Sequence, residues 1–333
     1  MYSQAVRVGV VGATGYAGQE LVGLLARHPG VRLETAMSSS ADSAARPLPR
    51  LARVWDGQVE PLDLDRLGRN LEFVFLAVPE AAAAELAPTL VAAGTRVIDL
   101  SGAFRIRNAE ARSRWYPATG GLPAGAAYGL TEHYKEAVRG AALVANPGCY
   151  PTAALLSLLP LAKAGLVDAA AGVVIDAKSG ISGAGRAATD RTHFSENHGS
   201  VAAYGVLGHR HVAEMEQELG AEVTFVPHLV PLDRGILETI YVRLVPGTTD
   251  EQVADAFSAA YEHEPFVRLT GASLPEIKHV AWTNFCDIGW RFEASTRRLV
   301  VVSCLDNLVK GASGQAVQNF NVACGIEEKA GLL

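Results

Sequence analysis

Val6-Arg7-Val8-Gly9-Val10-Val11-Gly12-Ala13-Thr14-Gly15-Tyr16-Ala17-Gly18 is the stretch that decides the fold. Its first six residues are a valine-rich run of the kind that lies buried on both faces of a parallel sheet. Three glycines spaced by three follow. Residues 20–28 then repeat leucine at helical spacing (Leu21, Leu24, Leu25) until Pro29-Gly30 stops the pattern. Strand, glycine loop and helix in that order point to a dinucleotide-phosphate site, with a merely tight βα turn as the alternative. The glycines let backbone approach the pyrophosphate, and the helix N-terminus faces it. The candidate cofactor contacts are Gly12, Thr14, Gly15, Tyr16, Ala17 and Gly18.

Working outward, residues 31–37 form the next strand, ending in Ser38-Ser39-Ser40. An NAD site usually has an acid there to hold the ribose 2′-hydroxyl. None sits at this strand end, and Asp42 lies further on. The three hydroxyls of Ser38, Ser39 and Ser40, with Arg46 nearby, suit a 2′-phosphate instead, so NADP is expected over NAD, with a plain serine loop as the alternative. Residues 41–70 carry Pro and Arg with little periodicity and read as a surface excursion. Two more buried strands, 73–77 and 96–100, end at Val78-Pro79 and at Ser101-Gly102-Ala103-Phe104-Arg105. Strands alternating with helices imply an α/β fold with a doubly wound, Rossmann-type parallel sheet, its ligands beyond the carboxyl ends of the strands. Pro79 and Arg105 fall at such ends. Arg105 is a candidate anion contact, with a surface salt bridge as the alternative.

A chain of 333 residues is long for one core, so two domains are expected. The formal net charge of -6 argues against a nucleic-acid or anionic-membrane partner but leaves room for a small anionic substrate. No early segment reads as a signal peptide, and the run after Arg7 is too short and glycine-broken to span a bilayer. Four cysteines without close pairing or a CxxC pattern suggest a reducing, cytoplasmic setting.

The chemistry centres on Asn146-Pro147-Gly148-Cys149-Tyr150-Pro151-Thr152. An apolar strand, 142–145, leads into a Pro-Gly turn, and an apolar helix follows from about Pro151, proline being tolerated in a first turn. Cys149 therefore lies at a helix N-terminus, where free N–H groups and the helix dipole favour thiolate over thiol. Such a cysteine suits attack on a carbonyl; a small buried residue at a strand–helix junction is the alternative. Cys286, Cys304 and Cys324 lie in apolar surroundings and read as inert core thiols.

Residues 172–178 form a strand running into Ser179-Gly180-Ile181-Ser182-Gly183-Ala184-Gly185-Arg186, which no apolar helix follows. Ser179, Ser182 and Arg186 could hold a phosphate or carboxylate, unless the loop is a plain connector. Residues 193–198 resist assignment. Tyr204 and His209 come next as substrate candidates, before a helix over 211–219. His211 and Glu214 share a face of that helix, and a carboxylate on one imidazole nitrogen raises the basicity of the other. Cys149, His211 and Glu214 thus make a candidate nucleophile, base and orienter. His209, about 200° round the helix from His211, has a different task. A zinc site from His209, His211 and a Cys or acid, and a solvated helix start, are the competing readings.

Residues 222–230 and 235–245 look like long strands around Pro231-Leu232-Asp233-Arg234, in an antiparallel sheet with one face covered; 250–262 reads as a helix and 299–307 as a last strand. A closing helix through Cys324 carries Gln315, Gln318 and Asn319 as a polar stripe, with a solvent face as the alternative.

Together these stretches resemble the N-acetyl-gamma-glutamyl-phosphate reductase family, within the wider aspartate-semialdehyde dehydrogenase-like group. The likeness runs over essentially the whole chain, through the glycine loop, Asn146–Thr152 and Ser179–Arg186. It continues in His193-Phe194-Ser195-Glu196, Gly208-His209-Arg210-His211, Pro227-His228-Leu229-Val230-Pro231 and 310–319. The resemblance implies an NADP-binding Rossmann domain over 1–148, completed by the C-terminal helix 312–333, and an α+β catalytic and dimerisation domain over 149–311 with a largely antiparallel sheet. It implies Cys149 as nucleophile, His211 supported by Glu214 as base, Asn319 near the nicotinamide, no metal, and a homo-oligomer, dimer or tetramer. The implied activity is NADPH-dependent reductive dephosphorylation of N-acetyl-L-glutamyl 5-phosphate to the 5-semialdehyde, in arginine biosynthesis. Three alternatives remain: a reductase of carrier-bound aminoadipyl phosphate in lysine biosynthesis, a non-catalytic NADP-binding regulator, and a Cys–His hydrolase, which gives the glycine loop no role. The chain departs from relatives at Val78-Pro79-Glu80-Ala81, where Leu-Pro-His-Gly is common, and at Ser101-Gly102-Ala103-Phe104-Arg105, where Ser-Ala-Asp-Phe-Arg is.

Overall fold

The computed structural model describes residues 5–333. In chain order the elements begin β1 (Val6–Val11), α1 (Tyr16–Arg27), β2 (Val31–Met37), β3 (Arg46–Pro47), β4 (Gln58–Glu60), α2 (Leu64–Asn70), β5 (Phe73–Leu76) and α3 (Glu80–Ala92). β6 (Arg96–Asp99), α4 (Ala109–Trp115), β7 (Ala126–Tyr128), α5 (Thr131–Gly140) and β8 (Leu143–Ala145) follow. Next come α6 (Cys149–Lys163), β9 (Val173–Gly180), α7 (Phe194–Asn197), β10 (Ala202–Ala203), α8 (His211–Leu219), β11 (Val223–Val230), β12 (Ile236–Arg243) and α9 (Asp250–Tyr261). The chain closes with β13 (Val267–Gly271), β14 (Cys286–Glu293), β15 (Arg298–Leu305) and α10 (Gly314–Cys324).

It divides into two compact units: one runs up to Gly148 and takes in Ala312–Leu333, the other is Cys149–Gly311. In the first unit, eight strands form one sheet in the order β3-β4-β2-β1-β5-β6-β8-β7. All neighbours are parallel except the short β3–β4 pair. The sheet is doubly wound because successive residues of β1 bury opposite faces. Val8 and Val10 pack with Leu21 and Leu25 of α1 and Phe320 of α10, whereas Val11 packs with Leu76 and with Leu86 and Leu90 of α3. The surface excursion expected over 41–70 is a correction: β4 pairs in parallel with β2, setting Glu60 opposite Met37, and α2 follows. Strands of two or three residues carry no readable period, which is why the pattern was invisible. α1 also starts at Tyr16, not Glu20, because Gly15 serves as its N-cap and Gly18 lies inside its first turn.

The second unit holds a seven-stranded sheet ordered β10-β11-β9-β12-β15-β14-β13. Four of its six pairings are antiparallel; β11–β9 and β13–β14 are parallel. β11 and β12 are not partners, as a hairpin around 231–234 would have made them. β9 lies between them, paired with each. β13 and β14 went unread in the sequence. α6 is buried from Tyr150 to Leu161 and packs with α8, α9, β12 and β15. A helix apolar all round needs cover on every side, and here it forms the core of this unit. β12 alternates buried (Ile236, Glu238, Ile240, Val242) with more exposed residues, so one face of the sheet is covered. Glu238 on that covered face is fully buried, and among the described residues neither carboxyl oxygen has a hydrogen-bond partner.

Candidate active site

In the first unit the glycine loop is shaped by contact. Gly12 has φ of +87°, and a Cβ there would lie 2.1 Å from the Ala77 carbonyl oxygen. A Cβ on Gly18 would lie 2.2 Å from the Gly12 oxygen, so a side chain at either position would force the backbone apart. A Cβ on Gly15, by contrast, would meet nothing closer than the Gly12 oxygen at 3.6 Å, so this position is not closed by contact. Thr14 and Ala17 are half-buried and Tyr16 is 39% exposed beside it. Pro79 is the exposed N-cap of α3. Ser40 is exposed, but Ser38 is buried and its Oγ donates to the Ser40 carbonyl at 2.7 Å, so that hydroxyl is already engaged. The structure adds Glu60, which accepts from Thr35 Oγ1 at 3.1 Å and pairs with Arg66 at 2.6 Å. No sequence signal pointed to it, since β4 alone carries it to the end of β2.

Two other expectations in this unit change. Arg105 is not a surface residue: it is 6% exposed, donating through Nε to the Asn146 carbonyl at 2.7 Å and through Nη2 to the Leu100 carbonyl at 2.8 Å. Two of its donor groups thus brace the loops after β6 and β8. Nor is the stripe on α10 a solvent face, because Gln315, Gln318 and Asn319 are all fully buried. Gln315 Nε2 donates to the Gly129 carbonyl at 3.0 Å, and Gln318 Nε2 to Glu132 at 2.9 Å. Asn319 Nδ2 donates to the Gly129 carbonyl at 2.7 Å and to Asn146 Oδ1 at 3.0 Å, while its Oδ1 accepts from Thr131 at 2.8 Å. Both amide protons and one oxygen lone pair are thus engaged inside the unit, which makes Asn319 an internal brace. Gly102, where relatives differ, faces Tyr116: a Cβ would stand 2.3 Å from that ring. Asp99 is fully buried and its carboxyl is pushed up to about 6, chiefly by loss of water, against the opposing pull of its bonds from Ser101 and the charge of Arg105.

In the second unit, Cys149 is the first residue of α6; its thiol is in no disulfide and is partly exposed. The other cysteines differ. Cys286 and Cys304 are buried, and burial pushes the Cys304 thiol well above its usual range and the half-buried Cys324 thiol to about 12. Gly311 lies against Cys149, since a Cβ there would come within 2.8 Å of the cysteine Cβ. His211 opens α8 and Glu214 follows one turn later, at 8% and 1% exposure. Both are enclosed, so the solvated-helix reading fails. Tyr150 connects the parts: its ring centroid lies 6.0 Å from His211, 5.9 Å from His209 and 5.1 Å from Phe225. Its hydroxyl is 3.2 Å from that of Tyr204. Burial first raises the Tyr204 phenol to about 12. A bond with Tyr150 opposes that, and the charge of Cys149 adds to it. The same charge adds to the rise at Tyr150, where burial again dominates. Cys149, Tyr150, Tyr204, His209 and His211 therefore share one electrostatic neighbourhood.

The 179–186 segment has regular structure in its first part. Ser179, 1% exposed, sits in β9 with its Oγ donating to the Gly180 carbonyl at 3.0 Å, and 181–184 close a 3-10 turn. Ser182 Oγ accepts from Asn307 Nδ2 at 3.0 Å, and Asn307 Oδ1 accepts from Gly235 N at 2.7 Å. Arg186 is exposed at the end of the loop. Sequence reasoning missed Asn307, and also Arg234, whose Nη1 is 3.2 Å from Asp306 and whose guanidinium lies 3.3 Å from the Trp282 ring centroid. Their signal is long-range register, which no local motif carries.

Comparison with known proteins agrees with this geometry. Residues 7–141 match the semialdehyde dehydrogenase NAD-binding domain, and 149–307 the semialdehyde dehydrogenase dimerisation domain. Among solved structures, aspartate semialdehyde dehydrogenase II from Vibrio cholerae, complexed with ASA, superposes with a TM-score of 0.74 at 19% identity, covering 97% of this chain and 99% of that one. That likeness shows the fold. The chain is also 46% identical to N-acetyl-gamma-glutamyl-phosphate reductase of Brevibacillus brevis and 43% identical to that of Shouchella clausii, with 98% of each chain covered in both cases. Identity at that level over nearly the full length establishes descent as well as shape: the chain belongs to the N-acetyl-gamma-glutamyl-phosphate reductase family.

Proposed function

We propose that this enzyme reduces N-acetyl-L-glutamyl 5-phosphate to N-acetyl-L-glutamate 5-semialdehyde, with release of inorganic phosphate, as a step of arginine biosynthesis. The observation that supports the reading is that Tyr150, next to Cys149 at the head of α6, packs its ring 6.0 Å from the ring of His211 at the head of α8.

His211 accepts the Cys149 proton, and the thiolate attacks the acyl carbon. The C–O bond to phosphate breaks, leaving a thioester on Cys149. The loop of Gly12, Thr14, Gly15, Tyr16, Ala17 and Gly18 would hold a nicotinamide dinucleotide, which supplies a hydride to the thioester carbonyl. His211 then returns its proton to the resulting oxyanion as general acid. Collapse of the thiohemiacetal releases aldehyde and thiol. Glu214, one turn along α8, is the carboxylate we assign to support the basicity of the imidazole. Arg186 and the loop from Ser179 to Ser182 hold the phosphate or the distal carboxylate.

NADP is the cofactor we infer, supported by the exposed Ser40 hydroxyl and by Arg46 beyond β2. The competing acid is Glu60, which is engaged with Arg66. A homo-oligomer is supported by the description of the matched 149–307 domain, and a cytoplasmic setting by four free cysteines. Among the described residues no helix is long and apolar enough to cross a membrane.

The test is NADP reduction by the semialdehyde with and without inorganic phosphate. Phosphate-dependent reduction is expected. Absence of any reduction overturns the reading, and equal rates without phosphate would point to water as the acceptor of the acyl group.

A further inference from the structure

His209, a substrate candidate, has one ring nitrogen engaged at the start of α8. His209 Nδ1 accepts a hydrogen bond from the backbone N–H of His211 at 3.2 Å, in the i to i+2 pattern that Asn and Asp side chains use to start a turn. Its ring centroid is 4.7 Å from that of His211, edge to face at 69°. Tyr204 at 5.6 Å and Phe225 at 5.3 Å enclose it from the other sides, with Tyr150. We propose that His209 is a positioning residue: as a neutral acceptor it closes the first turn of α8 and fixes the backbone and ring of His211. This rests on His211 being the base of the reaction.

The surrounding charges fit a neutral ring. Burial, then the adjacent Arg210, bring His209 down to about 4. The other groups facing it are the two raised phenols, the Cys149 charge acting on both, His211 itself, and Arg191, whose guanidinium lies 5.3 Å over the Tyr204 ring. Glu214 lies one turn along α8. Protonating Nδ1 would remove the lone pair that receives the His211 N–H. It would also set a positive charge against His211 just when that ring must take a proton from Cys149.

Two variants separate positioning from substrate contact. His209→Asn keeps an acceptor for the His211 N–H but has no ring; His209→Phe keeps a ring but has no acceptor. We expect His209→Asn to keep the larger share of kcat. His209→Phe should lose at least about tenfold, with an unchanged KM for the acyl phosphate and a displaced His211 limb in the pH profile of kcat. The same limb should move in the pH dependence of Cys149 alkylation by iodoacetamide, measured on cofactor-free enzyme. If His209→Phe does not fold, His209→Asn decides alone: a wild-type pH profile and KM support the proposal. A raised KM with an unmoved profile overturns it in favour of substrate contact. Failure of the parent reading shows separately, as near-wild-type turnover in His211→Asn whatever the His209 variants do.

Discussion

Asn319 Nδ2 donates to Asn146 Oδ1 at 3.0 Å, tying the last long helix of the chain to the residue that opens the turn before Cys149. Asn146 is held on every polar group: its N–H by the Asp99 carbonyl at 2.8 Å, its carbonyl by Arg105, and its Nδ2 by the Ala312 carbonyl at 3.1 Å. Replacing Asn319 by Leu keeps the volume but strips Asn146 Oδ1, the Gly129 carbonyl and Thr131 Oγ1 of a partner. A buried group left unpaired costs about 1–3 kcal/mol. Asn319→Leu should therefore lower the denaturant midpoint clearly, while the binding constant for NADPH, measured on the folded fraction, stays near wild type. A large loss of NADPH affinity at unchanged stability would restore Asn319 to the cofactor.

Cys149→Ser should abolish reduction yet bind NADPH normally, since the glycine loop proposed to hold the cofactor belongs to the other unit. A serine hydroxyl stays protonated where a thiol at a helix N-terminus does not. Mass spectrometry of wild-type enzyme mixed with acyl phosphate, without NADPH, should show a thioester on Cys149. Substantial turnover by the serine variant rules out the covalent route.

His211→Asn removes the proton acceptor but preserves a polar side chain at the head of α8. Turnover should fall by roughly 10²–10⁴-fold, the usual size of a general acid–base contribution. A loss smaller than tenfold transfers the role to another group.

Glu238 is a pH probe of stability. Its carboxyl is fully buried and burial holds its pKa well above the ordinary value. The unfolded chain ionises this group at about 4.3, whereas the fold resists ionisation, so the group weakens the fold progressively as pH rises past that value. Glu238→Gln should match wild type in thermal midpoint near pH 4 and exceed it by a margin that widens toward pH 8. A constant difference across that range would mean that the carboxyl ionises alike in both states.

The residue order alone was enough for whatever depends on short periods. Valine runs, glycine spacing and leucine helical repeats set the strand–loop–helix opening, and Pro147-Gly148 placed Cys149 at a helix start. His211 and Glu214 were legible because a helix brings i and i+3 together whatever surrounds it. Tertiary structure decided what depends on contacts across the chain. It buried the amide stripe of α10, turned Arg105 inward to backbone carbonyls, inserted β9 between β11 and β12, and carried Glu60 to the end of β2. The physical reason is that a polar side chain may be satisfied by water or by a distant partner, and local sequence looks the same in both cases. Only packing excludes the water and names the partner.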